Sequence, residues 1–423
     1  MQETEQQDAH FQSICAQVER EMQRLPIPGA VLGISYQGKE WLAGFGVTSL
    51  ENPLPVTPET LFQVGSITKT YTATALMRLV EMNRLELDRP IRAYLPNLRL
   101  ADESVAQRVT LRHLLTHTGG WVGDYFNDFG YGEDALAKMV ACLADLEQIT
   151  PLGEAWSYNN SGFYLAGRLL EVLTGMTYER ALAELLLKPL DLQRTFFFPE
   201  DVMTYRFVVG HEIVDRQPRV ARPWPIGRAS HAVGGITCSV GDLLRYARFQ
   251  MGDGTTPEGV RLLKPETLAL MQTPLFPSTG LMSIGLSWNI STASGEKFVG
   301  HGGATNGQDA LLRMAPASQF AIAVLTNSDE GGSLTLPVVN AATQLFIGRS
   351  LPDATPMDAT AEQLGEVTGR YEAAAQSLDI SVQPGGLSLQ LTPKGGFPTP
   401  DSPPGQAPPP VRMAFYAPDR LVV

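Results

Sequence analysis

Apolar residues repeat along the chain with two different periods, and the order of those periods predicts the architecture. A helical period over residues 8–25 predicts an amphipathic helix. The alternating segments 30–36 and 40–46 follow, and the Gln-Gly pair between them favours a tight turn, so they predict a β-hairpin. Similar segments return only toward the other end, where we predict strands at 283–290, 296–300, 308–314 and 320–326 and a helix at 334–347.

Between these two groups of strands, the apolar residues keep a helical period. Helices are predicted at 66–83, 110–117, 134–147, 161–174, 177–188 and within 233–252. An antiparallel sheet flanked by helices, built from both ends of this region and interrupted by an inserted all-α domain, satisfies that order. We therefore predict a mixed α/β (α+β) fold.

The length of 423 residues exceeds what one minimal core needs, so we predict more than one unit. Short alternating segments after residue 366 indicate a small β-rich unit that follows a Pro- and Asp-containing linker. The predicted units are a catalytic domain at 1–348 (α/β part about 8–65 and 230–348, mostly helical part about 66–229), a linker at 349–365 and a C-terminal β unit at 366–423.

Composition and charge restrict the partners. The net charge of −12 repels nucleic acid and anionic membranes, so we expect no nucleic-acid partner. No apolar stretch reaches the roughly 20 residues of a membrane span. The N-terminus lacks the features of a signal peptide, so we expect a cytoplasmic protein as the sequence stands, or a periplasmic or secreted one if a leader was removed. Three scattered cysteines suggest neither a disulfide framework nor a metal site, and no cofactor is expected.

Ser66 and Lys69, at the start of a predicted helix, are the first candidates for chemistry. Residues three apart share one helix face, so the amine of Lys69 can reach the hydroxyl of Ser66. A serine nucleophile needs a base, and a lysine desolvated in a cleft has its pKa lowered toward that task. Taken alone, Ser66 has a structural alternative as a helix N-cap. Ser294 and Lys297 have the same spacing, but they lie in a predicted hairpin turn and are rejected.

Tyr158 and Asn160 lie in a loop just before another predicted helix. A phenol has a pKa of about 10, so it exchanges a proton only when cations surround it, and Lys69 is such a cation. The amide of Asn160 can donate to a substrate carbonyl or contact Lys69, although an N-cap is an equally good explanation of this residue.

His301, Gly302 and Gly303 follow a predicted strand and are candidate substrate contacts. Two glycines allow a substrate backbone to approach the strand closely. The backbone N–H of Ala304 could then pair with that of Ser66 as an oxyanion hole. A turn histidine is the structural alternative for His301.

A Gly- and Asp-containing loop follows His117 and its glycine pair, which we assign to a structural loop beside the cleft. Trp121 and Tyr125 lie in that loop and are candidate aromatic contacts for the substrate, with a packed surface loop as the alternative. We also expect three residues that precede a second glycine pair to reach the cleft: Trp224, Arg228 and His231.

These motifs together resemble the class C β-lactamase and penicillin-binding-protein-like serine hydrolases, a group that includes family VIII carboxylesterases and D-aminopeptidases. Five motifs in order are specific where each one alone is weak, and they cover about residues 10–348. The matching stretches are Phe62–Lys69, Leu111–Gly120, Tyr158–Asn160, Gly234-Gly235 with Asp242-Leu243, and His301–Gly303.

The resemblance implies a β-lactamase/transpeptidase-like fold with the active site between its two parts. It implies Ser66 as the nucleophile, Lys69 and Tyr158 as base and acid, and Asn160 as a substrate contact. The oxyanion hole would be the backbone amides of Ser66 and Ala304. The C-terminal unit resembles the start of the lipocalin-like barrel found in some members.

At His301 the sequence departs from the related Lys-Thr-Gly element. A lysine carries a fixed charge suited to a β-lactam carboxylate, whereas a histidine with a pKa of about 6.5 is mostly neutral at physiological pH. We therefore predict a serine hydrolase, most simply a carboxylesterase, acting on small-molecule esters, amides or peptide-like substrates. The alternatives are a D-amino-acid-specific peptidase or amidase, a β-lactamase, a transacylase and a non-catalytic sensor on the same scaffold. The oligomeric state is not predicted.

Overall fold

An eight-stranded antiparallel sheet, built from both ends of the first 348 residues, forms the centre of the molecule. The computed structural model describes residues 2–351, 354–373, 375–384, 386–396, 401–417 and 420–422. The strand order of this sheet is β2-β1-β13-β12-β11-β10-β9-β8. Its strands are β1 (Gly29–Tyr36), β2 (Lys39–Gly46), β8 (Phe276–Pro277), β9 (Ser283–Ile284), β10 (Asn289–Ala293), β11 (Glu296–Thr305), β12 (Gln308–Ala315) and β13 (Phe320–Thr326).

Shorter strands lie outside the central sheet. Three of them pair in the order β3-β7-β4 and two form a hairpin, β5-β6. They are β3 (Phe62–Gln63), β4 (Thr195–Phe196), β5 (His211–Val214), β6 (Gln217–Val220) and β7 (Thr237–Cys238).

Helices cover both faces of the central sheet and form the inserted block. They are α1 (Gln2–Arg24), α2 (Thr68–Glu81), α3 (Glu103–Arg108), α4 (Leu111–Leu115), α5 (Ala135–Ala141), α6 (Asn160–Thr174), α7 (Tyr178–Leu182), α8 (Pro199–Val202), α9 (His231–Gly234), α10 (Val240–Met251), α11 (Pro265–Met271), α12 (Gly332–Ile347) and α13 (Ala361–Glu366). Helices α1 and α12 pack together on one face, where Val18 and Val338 are fully buried. Helix α10 packs on the other face, where its Val240 lies so close to Gly33 that no side chain fits there. The predicted fold class is therefore confirmed.

Helix α2 is buried on nearly all sides, although the sequence predicts a single apolar face. Every residue from Thr68 to Met77 is buried. Its threonines are accommodated because their hydroxyls are satisfied: Thr72 bonds with the Ala232 carbonyl and the Tyr178 hydroxyl, each at 2.8 Å. A lysine near the start of such a helix is therefore removed from water.

Several predicted boundaries differ from the structure. The strand predicted to end at residue 300 continues to Thr305, because residues 299–305 pair with β12. His301 therefore lies within a strand and not in a turn. Asn159, and not Asn160, caps helix α6, since its side chain accepts the Gly162 N–H. The helix predicted within 233–252 is two helices, α9 and α10, with β7 between them.

A five-stranded antiparallel sheet follows helix α13 near the C-terminus. Its strands are β14 (Gly369–Glu372), β15 (Gln376–Gln383), β16 (Gly386–Pro393), β17 (Val411–Ala417) and β18 (Arg420–Val422), paired in sequence order. The Tyr416 hydroxyl donates to the Gly280 carbonyl at 2.6 Å, which joins this sheet to the catalytic region. The division of the chain at 349–365 stays a prediction. Within the predicted linker and C-terminal unit, residues 352–353, 374, 385, 397–400, 418–419 and 423 lie outside the described residues.

Candidate active site

Ser66 lies in a single 3₁₀ turn, Gly65–Ile67, that leads directly into helix α2. No side chain caps this turn or the helix that follows, so Ser66 is not the N-cap that its position alone suggested. Its hydroxyl is hydrogen-bonded instead to Lys69, whose Nζ lies 2.9 Å from Oγ. The structure thus brings together the two residues that the helical spacing paired.

Lys69 is fully buried, and its amine has two hydrogen-bond partners that carry no full charge. Besides Ser66, it contacts the Val233 carbonyl oxygen at 2.9 Å. Burial lowers the pKa of Lys69 well below its usual value, and the more distant charge of Asp124 offsets this only in part. The amine therefore has a strong tendency to be uncharged, which is the form that can accept a proton.

Tyr158 completes the contact around the serine. Its hydroxyl lies close enough to Ser66 for that side chain to oppose the effect of burial on its pKa, and Lys69 Nζ lies 5.0 Å from the centre of its ring. Burial raises the pKa of Tyr158 above its ordinary range, so the phenol keeps its proton in the resting site. The serine hydroxyl thus lies beside an amine whose pKa is lowered and a phenol whose pKa is raised.

Two backbone segments touch beside the serine only because both contain glycine. A Cβ on Gly65, whose φ is +49°, would lie 2.7 Å from the Ala304 nitrogen. A Cβ on Gly303 would lie 2.0 Å from the Val64 carbonyl oxygen and 2.8 Å from the Ser66 nitrogen. The backbone nitrogens of Ser66 and Ala304 therefore lie at one junction, as the predicted oxyanion hole requires.

Asn160 borders the cleft, as the sequence suggests, but its amide is already engaged. Its Nδ2 donates to the Asp124 carboxylate at 2.8 Å. Asn159 caps helix α6, so the Asn160 side chain is not needed as a cap and faces the cleft instead. Asp124 is a site residue whose role the sequence did not reveal, because only the fold brings its loop to helix α6.

His301 is buried and uncharged. Its Nδ1 lies 2.5 Å from the Gly302 carbonyl oxygen, while its Nε2 is buried with no hydrogen-bond partner. Burial lowers the pKa of His301 to about 4 against the opposing effect of its bond to the Gly302 carbonyl. At physiological pH this position therefore carries no positive charge.

A cleft of about 290 Å³ opens beside Ser66. Of the expected contacts, Trp224 and Arg228 line it together with Asn160 and Ala304. Phe126, from the same aromatic loop as Tyr125, and four apolar residues not foreseen as contacts complete its wall: Pro223, Pro225, Ile226 and Val233.

Six expected contacts do not line this cleft: His301, Gly302 and Gly303, which lie in β11, and Trp121, Tyr125 and His231. Trp121 is only 2% exposed and packs in the core, where its ring lies against Gly119. Tyr125 borders a smaller neighbouring hollow, where residues of the C-terminal sheet approach its loop. His231 is buried and bonds through Nδ1 to the Glu179 carboxylate at 2.8 Å. Trp121 and His231 are therefore corrected from substrate contacts to structural residues.

The positive charge of Arg228 is matched inside the protein. Its guanidinium contacts both carboxylate oxygens of Glu179, at 3.1 and 3.2 Å, and the Tyr131 carbonyl at 2.6 Å. Arg228 and His231 together lower the pKa of Glu179 to about 2 against the opposing effect of burial. The positive charge of Arg228 at the cleft is therefore already paired with the Glu179 carboxylate.

The second Ser-x-x-Lys pair has none of these features. Ser294 and Gly295 form the turn between β10 and β11, and both have positive φ. Lys297 is half-buried and its amine contacts the Gln272 carbonyl at 3.3 Å. In the described part of the chain, no group of three or more His, Cys, Asp and Glu side chains is arranged to hold a metal ion. No helix among the described residues has the length and apolar character to cross a membrane.

A serine hydrolase with the β-lactamase/transpeptidase fold is the class that this sheet, inserted helical block and serine–lysine–tyrosine contact define. Residues 16–339 match the beta-lactamase family, and the chain belongs to that family. Both the resemblance to penicillin-binding proteins and that to class C β-lactamases are confirmed.

Individual relatives agree with this assignment. Penicillin-binding protein 4 from Amycolatopsis lactamdurans is 32% identical over 358 residues, which cover 82% of this chain and 93% of that protein. The crystal structure of a class C beta lactamase from Rhodobacter sphaeroides superposes with a TM-score of 0.65 and 25% identity, over 79% of this chain and 98% of that one. The crystal structure of SurE with D-Leu superposes with a TM-score of 0.74 and 25% identity, over 96% of this chain and 90% of that one. A match over 96% of the chain must include most of the C-terminal sheet.

Proposed function

We propose that this protein hydrolyses small esters or amides through an acyl-enzyme formed on Ser66. The observation that carries the proposal is the 2.9 Å contact between Ser66 Oγ and the buried, pKa-lowered amine of Lys69. An uncharged amine at hydrogen-bond distance from a serine hydroxyl is a general base in position.

In the proposed acylation, Ser66 Oγ bonds to the substrate carbonyl carbon while its proton passes to Lys69. The carbonyl electron pair moves to oxygen, which the backbone N–H groups of Ser66 and Ala304 receive. When the tetrahedral intermediate collapses, Tyr158 gives its proton to the departing alkoxide or amine and regains one from the Lys69 ammonium. In deacylation, water gives a proton to Lys69 as its oxygen bonds to the acyl carbon; the bond to Ser66 Oγ then breaks, Oγ takes up that proton, and a carboxylic acid is released.

The charges around the cleft favour an acyl group without a carboxylate. His301 is uncharged, with a pKa of about 4, and Arg228 is paired with Glu179. A β-lactam or a D-alanyl terminus would bring a carboxylate to a cleft in which neither residue offers a free positive charge. The apolar wall formed by Phe126, Pro225 and Ile226 suits an uncharged acyl or aryl group.

A second candidate is action on D-aminoacyl esters or amides, by hydrolysis or by transfer to an amine. The similarity to the crystal structure of SurE with D-Leu over 96% of this chain favours it. The neighbouring carboxylate of Asp124 would suit the ammonium group of such a substrate.

The first test is labelling of the protein with a fluorescent fluorophosphonate. We expect wild type to be labelled on the Ser66 peptide and Ser66→Ala to lose labelling. Ser294→Ala is the matched control, because it alters the serine of the other Ser-x-x-Lys pair, and it should be labelled like wild type. Wild type that is labelled no better than Ser66→Ala would support a non-catalytic sensor instead.

Substrate class is then decided with p-nitrophenyl esters, D-aminoacyl amides and nitrocefin, each with and without an added amine acceptor. Ester turnover that exceeds nitrocefin turnover supports the first proposal. Turnover restricted to D-aminoacyl compounds supports the second candidate, and new amide products with the acceptor identify a transacylase.

A further inference from the structure

His117 holds the backbone on both sides of Tyr158. Its carbonyl oxygen accepts the N–H of Ser157 at 3.0 Å. Its ring Nδ1 accepts the N–H of Asn159, also at 3.0 Å. Ser157 and Asn159 are the two neighbours of Tyr158 in the chain, so a single residue fixes the segment that carries the phenol.

The ring of His117 also contacts the tyrosine directly. The two ring centres are 4.5 Å apart and the planes are tilted by 30°, which is an offset-stacked arrangement. Phe163 lies against the same imidazole at 5.2 Å and thereby fixes its orientation from helix α6. The ring of Tyr158 therefore packs against a side chain of the protein itself.

This arrangement needs an unusual backbone. His117 has φ of +56°, the left-handed region that costs a residue other than glycine about 1–2 kcal/mol. In this conformation its carbonyl and its ring both bond to the same segment of chain. Such strain persists where the surrounding structure compensates for it, and it is concentrated at functional sites.

The bond to Asn159 defines which nitrogen of His117 carries the proton. Because Nδ1 accepts an N–H, the proton of the neutral ring is on Nε2. The residue is 1% exposed, and burial lowers its pKa well below the usual value. The acceptor is therefore available at physiological pH.

We propose that His117 is a positioning residue for Tyr158: through the bonds at Ser157 and Asn159 and the ring contact, it holds the phenol against Ser66. This inference rests on the proposed function, since it assumes that the Tyr158 hydroxyl takes part in acylation. His117 itself bonds to neither Ser66 nor Lys69 and acts only through the tyrosine.

A double-mutant cycle tests this role with the second-order rate of fluorophosphonate labelling of Ser66 as readout. We expect His117→Ala to lower the rate about 10²-fold, because small displacements of a catalytic group have effects of that size. In a Tyr158→Phe background the same substitution should cost less than about threefold, since the hydroxyl it positions is absent. Equal losses in the two backgrounds would overturn the proposal.

Asn and Gln at position 117 give a comparison that does not depend on the alanine variant folding. Asn tolerates left-handed backbone, and its side-chain oxygen lies where Nδ1 lies, so His117→Asn should stay within about fivefold of wild type. The oxygen of Gln lies one bond further out and should miss Asn159, so His117→Gln should approach the loss expected for alanine. Equal rates for the two variants would contradict the inference.

The failure of this inference can be told apart from the failure of the proposed function. If wild type shows no Ser66-dependent labelling, both are wrong. If the enzyme is active but the effects of His117→Ala and Tyr158→Phe on the labelling rate are additive, only the positioning role is wrong.

Discussion

Two histidines approach Tyr158 from segments that contain a pair of glycines, yet they form opposite hydrogen bonds. His117 accepts a backbone N–H at Nδ1, whereas Nδ1 of His301 donates to the Gly302 carbonyl. Their neutral rings therefore carry the proton on different nitrogens, Nε2 in His117 and Nδ1 in His301. Both Nε2 atoms are buried without a partner among the described residues.

The backbone explains the difference. His117 lies in a loop with φ of +56°, where its ring turns back onto the chain that carries Tyr158. His301 lies in β11, where the strand fixes an extended backbone and places Gly303 against Ser66. The same residue types thus hold a catalytic candidate in one place and lie at the proposed oxyanion site in the other. The role of such a motif therefore depends on the backbone conformation around it.

The largest effect should follow from removing Lys69, whose amine lies 2.9 Å from Ser66 Oγ. Lys69→Met should lower the labelling rate of Ser66 about 10³-fold, because a general base contributes 10²–10⁴-fold. Lys297→Met is the matched control from the other Ser-x-x-Lys pair and should keep the wild-type rate. A fully active Lys69→Met enzyme would show that another group takes the serine proton.

A smaller effect separates the two glycines after His301. A Cβ on Gly303 would lie 2.0 Å from the Val64 carbonyl, whereas one on Gly302 would have only an ordinary contact at 3.7 Å with the Ala310 carbonyl. Gly303→Ala should therefore displace the Ala304 amide and lower acylation about 10²-fold, the cost of one oxyanion donor. Gly302→Ala should stay within about threefold of wild type in the same assay. Equal losses would mean that the glycines provide flexibility and not close approach.

Local patterns were sufficient to predict the sheet, the main helices and the pairing of Ser66 with Lys69. Each depends on short-range periodicity or on residues three apart on one helix face. The sequence also limits the cap of helix α6 to Asn159 or Asn160, since both are good N-caps and only one can occupy the position. The sequence offers no means of choosing between two adjacent asparagines.

The rest depends on contacts between segments far apart in the chain. His117 was assigned to a structural loop, because nothing in its neighbourhood shows that its ring reaches residue 159. Trp121 was predicted to contact substrate, but the turn at Gly119 and Gly120 directs its ring into the core. Glu179 was not singled out, since its partners Arg228 and His231 follow it by about fifty residues. Such contacts are set by the fold and leave no local signal.

The smallest effect compares the two histidines by acid titration. His301 has a pKa of about 4 in the folded protein against 6.5 for an unperturbed side chain, so the unfolded chain binds the additional proton between these values. Stability must therefore fall as the pH is lowered. The free energy of unfolding of wild type minus that of His301→Asn should decrease by about 2 kcal/mol from about pH 7.5 to about pH 5.

Urea unfolding at the two pH values measures this difference. The free energy of unfolding of wild type minus that of His117→Asn should also decrease as the pH is lowered. Burial is the first cause of the lowered pKa in both histidines. The donor bond from His301 to Gly302 raises the pKa of that residue against the effect of burial, whereas the acceptor bond of His117 requires an unprotonated Nδ1. Over this pH interval, however, the loss is limited mainly by proton uptake of the unfolded chain, so we expect decreases of similar size for the two comparisons. A difference independent of pH would mean that neither ring is held neutral by burial.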